Sequence, residues 1–176
     1  LLGNLNRVEE SISSYKKVVQ LNPSLTDAHY NLGTALQSQS HYEEAANSYQ
    51  KAIALEAGFF EAIVNLGVCL QEQGQLAEAI ESYQRALTIQ QDAKVYFNMG
   101  TALKNQGKLS DAVESYNQAL ALSPDYAEVY SNLGEVLRDQ GRYQESVECY
   151  KQALAIDPTL PIANYSLAIY LYDSGD

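Results

Sequence analysis

The sequence predicts an all-α solenoid of antiparallel helix pairs, because one unit of 34 residues recurs along the 176-residue chain. Three kinds of residue keep this interval. Tyrosine recurs at Tyr15, Tyr49, Tyr83, Tyr116 and Tyr150. Glycine recurs at Gly33, Gly67, Gly100 and Gly134, and alanine recurs at Ala52, Ala86, Ala119 and Ala153. All three series share a single interval of 33 at the same place, so one residue is missing between two neighbouring units.

Each unit contains two amphipathic segments with helical spacing. In one unit, Tyr96, Met99 and Leu103 lie three or four residues apart, which places them on one face of a helix. A residue that tolerates the left-handed conformation is expected between the two segments, because that conformation ends a helix. The residues at this turn are Asn6, Ser40, Gly74, Gly107 and Gly141. Proline cannot continue a helix, and it closes the second segment at Pro23, Pro124 and Pro158.

These signals divide the chain into one array of repeats. We expect a partial repeat over 1–25, full repeats over 26–59, 60–92, 93–126 and 127–160, and a terminal helix of a further or capping unit over 161–176. The terminal helix should run from Pro161 to Tyr172 and leave its apolar side chains without a second helix to cover them. These side chains are Tyr165, Leu167, Ile169, Tyr170 and Leu171. Such an end predicts either more chain or end-to-end self-association, and the missing initial Met suggests an excerpt of a longer protein.

Composition narrows the class of partner. The net charge is −11 and the sequence pI is about 4.5. Nucleic acids and anionic membranes attract Lys/Arg-rich surfaces, so we expect neither as a partner. Two cysteines, Cys69 and Cys149, are too few for a disulfide framework and are compatible with a reducing compartment. We therefore expect a cytoplasmic location.

The recurring residues resemble the tetratricopeptide repeat, whose pattern places Leu-Gly in the first helix and Ala-x-x-x-Phe and Pro in the second. The chain has the first pair at Leu32-Gly33, Leu66-Gly67, Met99-Gly100 and Leu133-Gly134. It has Tyr in place of Phe in Ala45…Tyr49, Ala79…Tyr83, Ala112…Tyr116 and the variant Ser146…Tyr150. The resemblance implies a right-handed α-α superhelix. It also implies a protein–protein interaction scaffold with a concave groove lined by the first helices.

The sequence contains no catalytic constellation, so we expect neither an enzyme nor a cofactor. His29 and His41 lie in different predicted helices, and His29 occupies a packing position. Glu43 and Glu44 are acids at a helix start, not a buried carboxylate pair. A phosphate-binding loop that follows a strand is not expected in a chain without predicted strands. Metal binding is not expected at either histidine.

The most informative residues are asparagines at the sixth position of each full unit. They are Asn31, Asn65, Asn98 and Asn132, and Ser166 follows in the terminal helix. Asparagine is a mediocre helix former, and its amide can both donate to and accept from a peptide backbone. The resemblance implies that this position lines the groove. This asparagine ladder predicts binding of an extended peptide, although each amide could instead satisfy neighbouring backbone or water.

Other candidate binding residues surround the ladder on the first helices. They are Tyr30, Phe97, Thr101, Lys104, Glu135 and Arg138. Chaperone-binding relatives grip a C-terminal carboxylate with Lys, Asn and Arg on successive first helices. Here the fifth position has no Lys and the ninth has no Asn or Arg, so binding of chaperone tails is not expected.

Three functions stay open at this point. The leading hypothesis is a protein-interaction scaffold that binds an extended peptide or partner segment in the groove. The second is the substrate-recruiting arm of a larger glycosyltransferase, because the ladder resembles that of nucleocytoplasmic O-linked N-acetylglucosamine transferases. The third is a self-assembling structural solenoid.

Overall fold

The computed structural model describes residues 2–174, with side chains for residues 7–170. Over these residues it contains ten α-helices and no strand. The helices are α1 (Leu2–Leu21), α2 (Thr26–Ser38), α3 (Tyr42–Leu55), α4 (Phe60–Glu72), α5 (Leu76–Ile89), α6 (Ala93–Asn105), α7 (Leu109–Leu122), α8 (Ala127–Asp139), α9 (Tyr143–Ile156) and α10 (Pro161–Ser174). The predicted all-α class of helix pairs is confirmed.

The chain divides into two compact units, Leu1–Gln90 and Gln91–Asp176. In the first unit, α2 pairs with α3 and α4 with α5, while α1 packs on α2 and α3 on α4. In the second unit, α6 pairs with α7 and α8 with α9, while α7 packs on α8 and α9 on α10. The first helices of successive pairs also meet, α2 with α4 in the first unit and α6 with α8 in the second. Each unit therefore places the first-helix residues of neighbouring repeats side by side.

The turns between paired helices have the backbone that the sequence predicts. Gly74, Gly107 and Gly141 have φ of 76°, 81° and 76°, and Ser40 has φ of 60°. After α4, the Gly74 N–H donates to the Gln71 carbonyl and the next N–H reaches back to the Leu70 carbonyl, both at 2.9 Å. This pattern satisfies carbonyls that the helix end would otherwise leave without partners.

Asn6 is an exception, because α1 continues through it from Leu2 to Leu21. The predicted turn at this residue is wrong for this structure. Asparagine tolerates the left-handed conformation but does not require it, and it is also accepted inside a helix. Continuing α1 instead adds intrahelical hydrogen bonds, each of which fixes only one more residue.

The core of each helix pair is a tyrosine packed against a glycine. Tyr49, Tyr83, Tyr116 and Tyr150 are at most 2% exposed. A Cβ added to the paired glycine (Gly33, Gly67, Gly100 or Gly134) would lie 2.6–2.7 Å from the tyrosine ring. Since real Cβ atoms essentially never approach so closely, glycine is required for the two helices to pack. These glycines hold the eighth position of each full unit, so this position is where the two helices of a pair approach closely.

The terminal helix α10 is partly covered, contrary to the expectation for two of its side chains. Tyr165 and Ile169 are 70% and 42% exposed, as predicted. Leu167, however, packs against a cluster that contains Tyr150 and Ala163. Tyr170 is half-buried, and its hydroxyl hydrogen-bonds to Gln144 Oε1 at 3.3 Å. The exposed apolar surface is therefore smaller than predicted because α9 covers part of this helix; the Leu171 side chain lies outside the described residues.

Candidate functional site

The predicted asparagine ladder lies on the first helices, with two members in each compact unit. Asn31 and Asn65 lie on α2 and α4, and Asn98 and Asn132 lie on α6 and α8. All four side chains are partly exposed. The equivalent residue on α10, Ser166, is only 7% exposed. The asparagines are therefore accessible, whereas the serine is part of a packed region.

In the first unit, Asn65 borders an open cleft of about 500 Å³ between α2 and α4. The lining residues are Thr34, Gln37, Ser38, Tyr42, Asn65, Val68 and Glu72. Asn65 Nδ2 donates to the Tyr30 hydroxyl at 3.4 Å, which is near the outer limit for a hydrogen bond. Polar groups and a small apolar surface thus lie together in one open cleft.

The fifth-position aromatics, Tyr30 and Phe97, are held by the scaffold. The Tyr30 ring centroid lies 5.8 Å from that of Tyr49 and 4.8 Å from that of Phe59. Phe97 repeats this arrangement with Tyr116 at 6.1 Å and Tyr126 at 5.3 Å. Both rings are half-buried, so their exposed parts form rigid apolar walls beside the asparagines.

Thr101 takes part in the scaffold's hydrogen bonding. Its hydroxyl donates to the Phe97 carbonyl at 3.0 Å and lies 3.2 Å from the Tyr116 hydroxyl. In the first unit, the Tyr49 hydroxyl is bound by Gln37 at 2.7 Å and more weakly by Thr34 at 3.4 Å. Burial raises the pKa of both tyrosines to about 12. Thr101 therefore stabilises a buried phenol, which leaves less of its hydroxyl for a ligand.

In the second unit, three predicted residues form one polar cluster. Lys104 Nζ contacts Glu135 Oε2 at 2.9 Å and Asn132 Oδ1 at 3.3 Å. Asn132 Nδ2 donates to the Glu128 carbonyl at 2.9 Å. Side chains of Lys104 and Glu135 are only 23% and 22% exposed. Both ends of the Asn132 amide are thus hydrogen-bonded within the protein. For this asparagine, the structure agrees with the alternative interpretation, in which the amide satisfies neighbouring groups.

Arg138 lies apart from this cluster, at the rim of a cavity of about 130 Å³ between α8, α9 and α10. It pairs with the neighbouring Asp139 at 3.2 Å, and both side chains are nearly half exposed. Burial alone would lower the pKa of Arg138, but Tyr150, Asp139 and Glu135 together raise it. Tyr150 and Ser166 line the same cavity. The sequence analysis assigned Tyr150 to the scaffold only. The signal that could have indicated its different surroundings was the presence of Glu135 and Arg138 at the ninth and twelfth positions of this unit.

The described side chains offer no metal site, because no group of three or more His, Cys, Asp or Glu comes together among them. His29 is buried, and its Nε2–H donates to the Pro23 carbonyl at 2.9 Å, as expected of a packing residue. Both cysteines are free thiols. Burial raises the pKa of Cys69 to about 12 and that of Cys149 to about 11. Within the described part of the chain, no helix is long and apolar enough to cross a membrane.

Successive helix pairs that repeat the same glycine–tyrosine packing place the chain among the helical repeat proteins. Models described as "Tetratricopeptide repeat" match residues 59–125, 91–159 and 125–176, and also 26–59. A "TPR repeat" model matches residues 4–40. The chain belongs to the tetratricopeptide repeat family. A search of curated proteins gives no significant match.

Solved structures share the fold. A crystal structure of MamA has 24% identity and a TM-score of 0.85, with 88% of this chain and 91% of that chain covered. YrrB, described as "a TPR protein with an unusual peptide-binding site", has 24% identity and a TM-score of 0.81, with 94% and 86% covered. PilF of Pseudomonas aeruginosa has 23% identity and a TM-score of 0.81, with 99% and 82% covered. At these identities the likeness is one of fold.

Proposed function

We propose that the chain is a non-enzymatic protein-interaction scaffold whose first helices bind an extended peptide or partner segment. Membership in the tetratricopeptide repeat family supports the scaffold itself. The observation that supports peptide binding most strongly is the open cleft of about 500 Å³ beside Asn65. The similar structure of YrrB, a TPR protein with an unusual peptide-binding site, also supports a peptide as the occupant.

The chemistry of the cleft suits a peptide backbone. An asparagine amide can accept from a peptide N–H and donate to a peptide carbonyl, independently of the peptide's side chains. The hydrogen bond from Asn65 to Tyr30 is long, at 3.4 Å, so little is lost when a ligand replaces it. Val68 and the Tyr30 ring supply apolar contact next to the amide. Backbone hydrogen bonds would provide affinity, and apolar walls would select side chains.

The proposal is tested by comparing ladder variants with matched asparagine variants on second helices. Asn65→Ala and Asn98→Ala remove ladder amides, whereas Asn47→Ala and Asn117→Ala remove exposed amides from α3 and α7. Peptides selected from a random library on the wild type should bind the ladder variants at least tenfold more weakly and the control variants unchanged. If the selected peptides bind the ladder variants and the control variants equally well, the ladder asparagines do not contribute to peptide binding.

The two other functions stay predictions. A substrate-recruiting arm of a glycosyltransferase would use the same first-helix surface, so the ladder variants would weaken recruitment of its protein substrates. The full reading frame distinguishes this function, because it contains or lacks a transferase domain. A structural solenoid would instead associate with itself and leave the first-helix surfaces unoccupied.

A further inference from the structure

The hydroxyl of Tyr150 is a buried donor without a partner. Tyr150 is 2% exposed, and among the described residues its hydroxyl has no hydrogen-bond partner. Buried polar groups are nearly always hydrogen-bonded, and an unpaired one carries a free-energy cost. This exception is therefore a feature to be explained, and the residue lines the cavity between α8, α9 and α10.

The equivalent tyrosines in the other full units all have partners. Tyr49 and Tyr83 donate to glutamines at the twelfth position, Gln37 at 2.7 Å and Gln71 at 3.2 Å. Tyr116 is bound by Thr101 at the ninth position, at 3.2 Å. In the last full unit both positions differ, since Glu135 occupies the ninth and Arg138 the twelfth.

These two replacements account for the unpaired hydroxyl. Arginine carries only donors, so Arg138 cannot accept a proton from Tyr150 as glutamine does. Glu135 could accept, but its carboxylate is held by Lys104 at 2.9 Å. Arg138 itself makes only long contacts, 3.2 and 3.4 Å, to Asp139 on the exposed surface. A phenol and a guanidinium thus line one cavity, and both supply hydrogens where the other units supply an acceptor.

We propose that this cavity binds a carboxylate of a partner peptide, held by the Tyr150 hydroxyl and the Arg138 guanidinium. A carboxylate offers two acceptor oxygens, which matches the two donor side chains that line the cavity. The volume of about 130 Å³ accommodates such a group with a few attached carbons. Apolar contact comes from Val147, Ile169 and Tyr170. The inference rests on the proposed function, because the carboxylate belongs to a peptide on the first-helix surface.

This site differs from the carboxylate clamp of chaperone-binding relatives. The clamp implied by the family resemblance uses the fifth and ninth positions of first helices, whereas Arg138 holds the twelfth position and Tyr150 lies on the second helix α9. The hydroxyl is shielded from bulk solvent, so binding requires Arg138 to move. Its side chain is 45% exposed and is held by the long contacts with Asp139.

Small probes test the site in the full chain by NMR. N-acetyl-glutamate N-methylamide carries its only carboxylate on the side chain, and N-acetyl-leucine carries its only carboxylate at the C-terminus. Each is compared with its neutral amide, and shifts are followed at the Arg138 Nε–H and the backbone amides of α8, α9 and α10. We expect a carboxylate probe to bind at least tenfold more tightly than its amide. The probe that binds better identifies the source of the carboxylate.

Variants make the test specific to the two donors. Arg138→Gln reproduces the arrangement of Gln37 and Tyr49, so the new glutamine carbonyl should accept the hydrogen bond of the Tyr150 hydroxyl. Because the variant also lacks the guanidinium, its affinity for the probe should fall at least tenfold. Tyr150→Phe should reduce it at least fivefold, whereas the matched control Tyr49→Phe should leave it unchanged. Equal binding of acid and amide would overturn the proposal. Unchanged probe binding by Arg138→Gln would also overturn it. A crystal structure at saturating probe that shows ordered water, and no probe, beside Tyr150 would overturn it as well.

This inference and the proposed function fail in different ways. If library peptides bind through the ladder but lose nothing when their carboxylates are amidated, the carboxylate site is wrong and the peptide-binding scaffold stands. If no library peptide binds while the carboxylate probes perturb the cavity, the carboxylate site stands and the proposed function is wrong.

Discussion

At the scale of single residues, one contact explains why glycine recurs at the eighth position. The tyrosine of the second helix lies where a Cβ of the first helix would be, at 2.6 Å in the pair of Gly100 and Tyr116. Both tyrosine and glycine are buried, so neither can move without opening the helix pair. Packed interiors tolerate such insertions poorly.

Gly100→Ala is expected to lower the free energy of unfolding by about 1–3 kcal/mol, because the added methyl overpacks the contact with Tyr116. Urea denaturation followed by circular dichroism measures the change. Gly58→Ala is the matched control: its Cβ would have no neighbour within 4 Å, so stability should be unchanged or slightly higher. If Gly100→Ala is as stable as Gly58→Ala, α6 and α7 can move apart to accommodate the methyl group at little cost, and the contact with Tyr116 does not require glycine.

The four core tyrosines differ in their hydroxyls, which gives a second prediction at this scale. Tyr49→Phe removes a hydrogen bond to Gln37 and should cost about 0.5–1.5 kcal/mol of stability. Tyr150→Phe removes a buried hydroxyl without a described partner, so it should be neutral or stabilising. The same urea titrations decide it. Equal destabilisation by both substitutions would mean that Tyr150 also has a protein partner in solution.

At the scale of helices, the turns depend on residues that accept positive φ. Three of the described turns use glycine, but the turn after α2 uses Ser40 at φ 60°. A residue with a Cβ pays a steric cost in this conformation, and glycine does not. The first full repeat, residues 26–59, therefore carries local strain that the later repeats avoid.

Ser40→Gly is expected to stabilise the chain by about 1 kcal/mol, because it relieves this strain. Gly74→Ser, the reverse substitution at the equivalent turn, should destabilise it by a similar amount. Thermal unfolding of the two variants provides the measurement. If Ser40→Gly lowers the melting temperature, the serine is held by favourable interactions that outweigh the strain.

Most helices could be predicted from sequence because periodic tyrosines, glycines and alanines act locally. The helices that begin at Thr26, Phe60, Ala93, Ala127 and Pro161 follow this pattern. The ends were less predictable, because they depend on what surrounds them. Asn6 lies within a continuous helix although asparagine also tolerates a turn, and Leu167 is covered by residues of another helix.

The candidate site was predictable in its positions but not in its hydrogen bonding. Register alone places the asparagines on the first helices. It does not indicate that Asn132 would be engaged by Lys104, or that Tyr150 would lack an acceptor. Both outcomes depend on which side chains two neighbouring repeats bring together, and a pattern within one repeat does not contain this information.

At the scale of the whole molecule, self-association stays a prediction, and it depends on the apolar side chains that α10 leaves exposed. Tyr165 and Ile169 on α10 remain exposed. We expect the weight-average mass from light scattering to rise with concentration, because association would bury these side chains. Tyr165→Ser/Ile169→Ser should return the mass to the monomer value. A monomer mass at every concentration would contradict end-to-end association.

The central claim is that ladder amides recognise the backbone of a bound peptide, and one measurement tests it most directly. The affinity of a selected peptide is compared with that of versions N-methylated at single positions, for wild type and Asn65→Ala. We predict that one N-methyl group weakens peptide binding to the wild type at least tenfold. The same group should weaken binding to Asn65→Ala far less, because this variant already lacks the hydrogen bond that the N-methyl group removes. Equal, additive losses in both proteins would contradict backbone recognition by the asparagine.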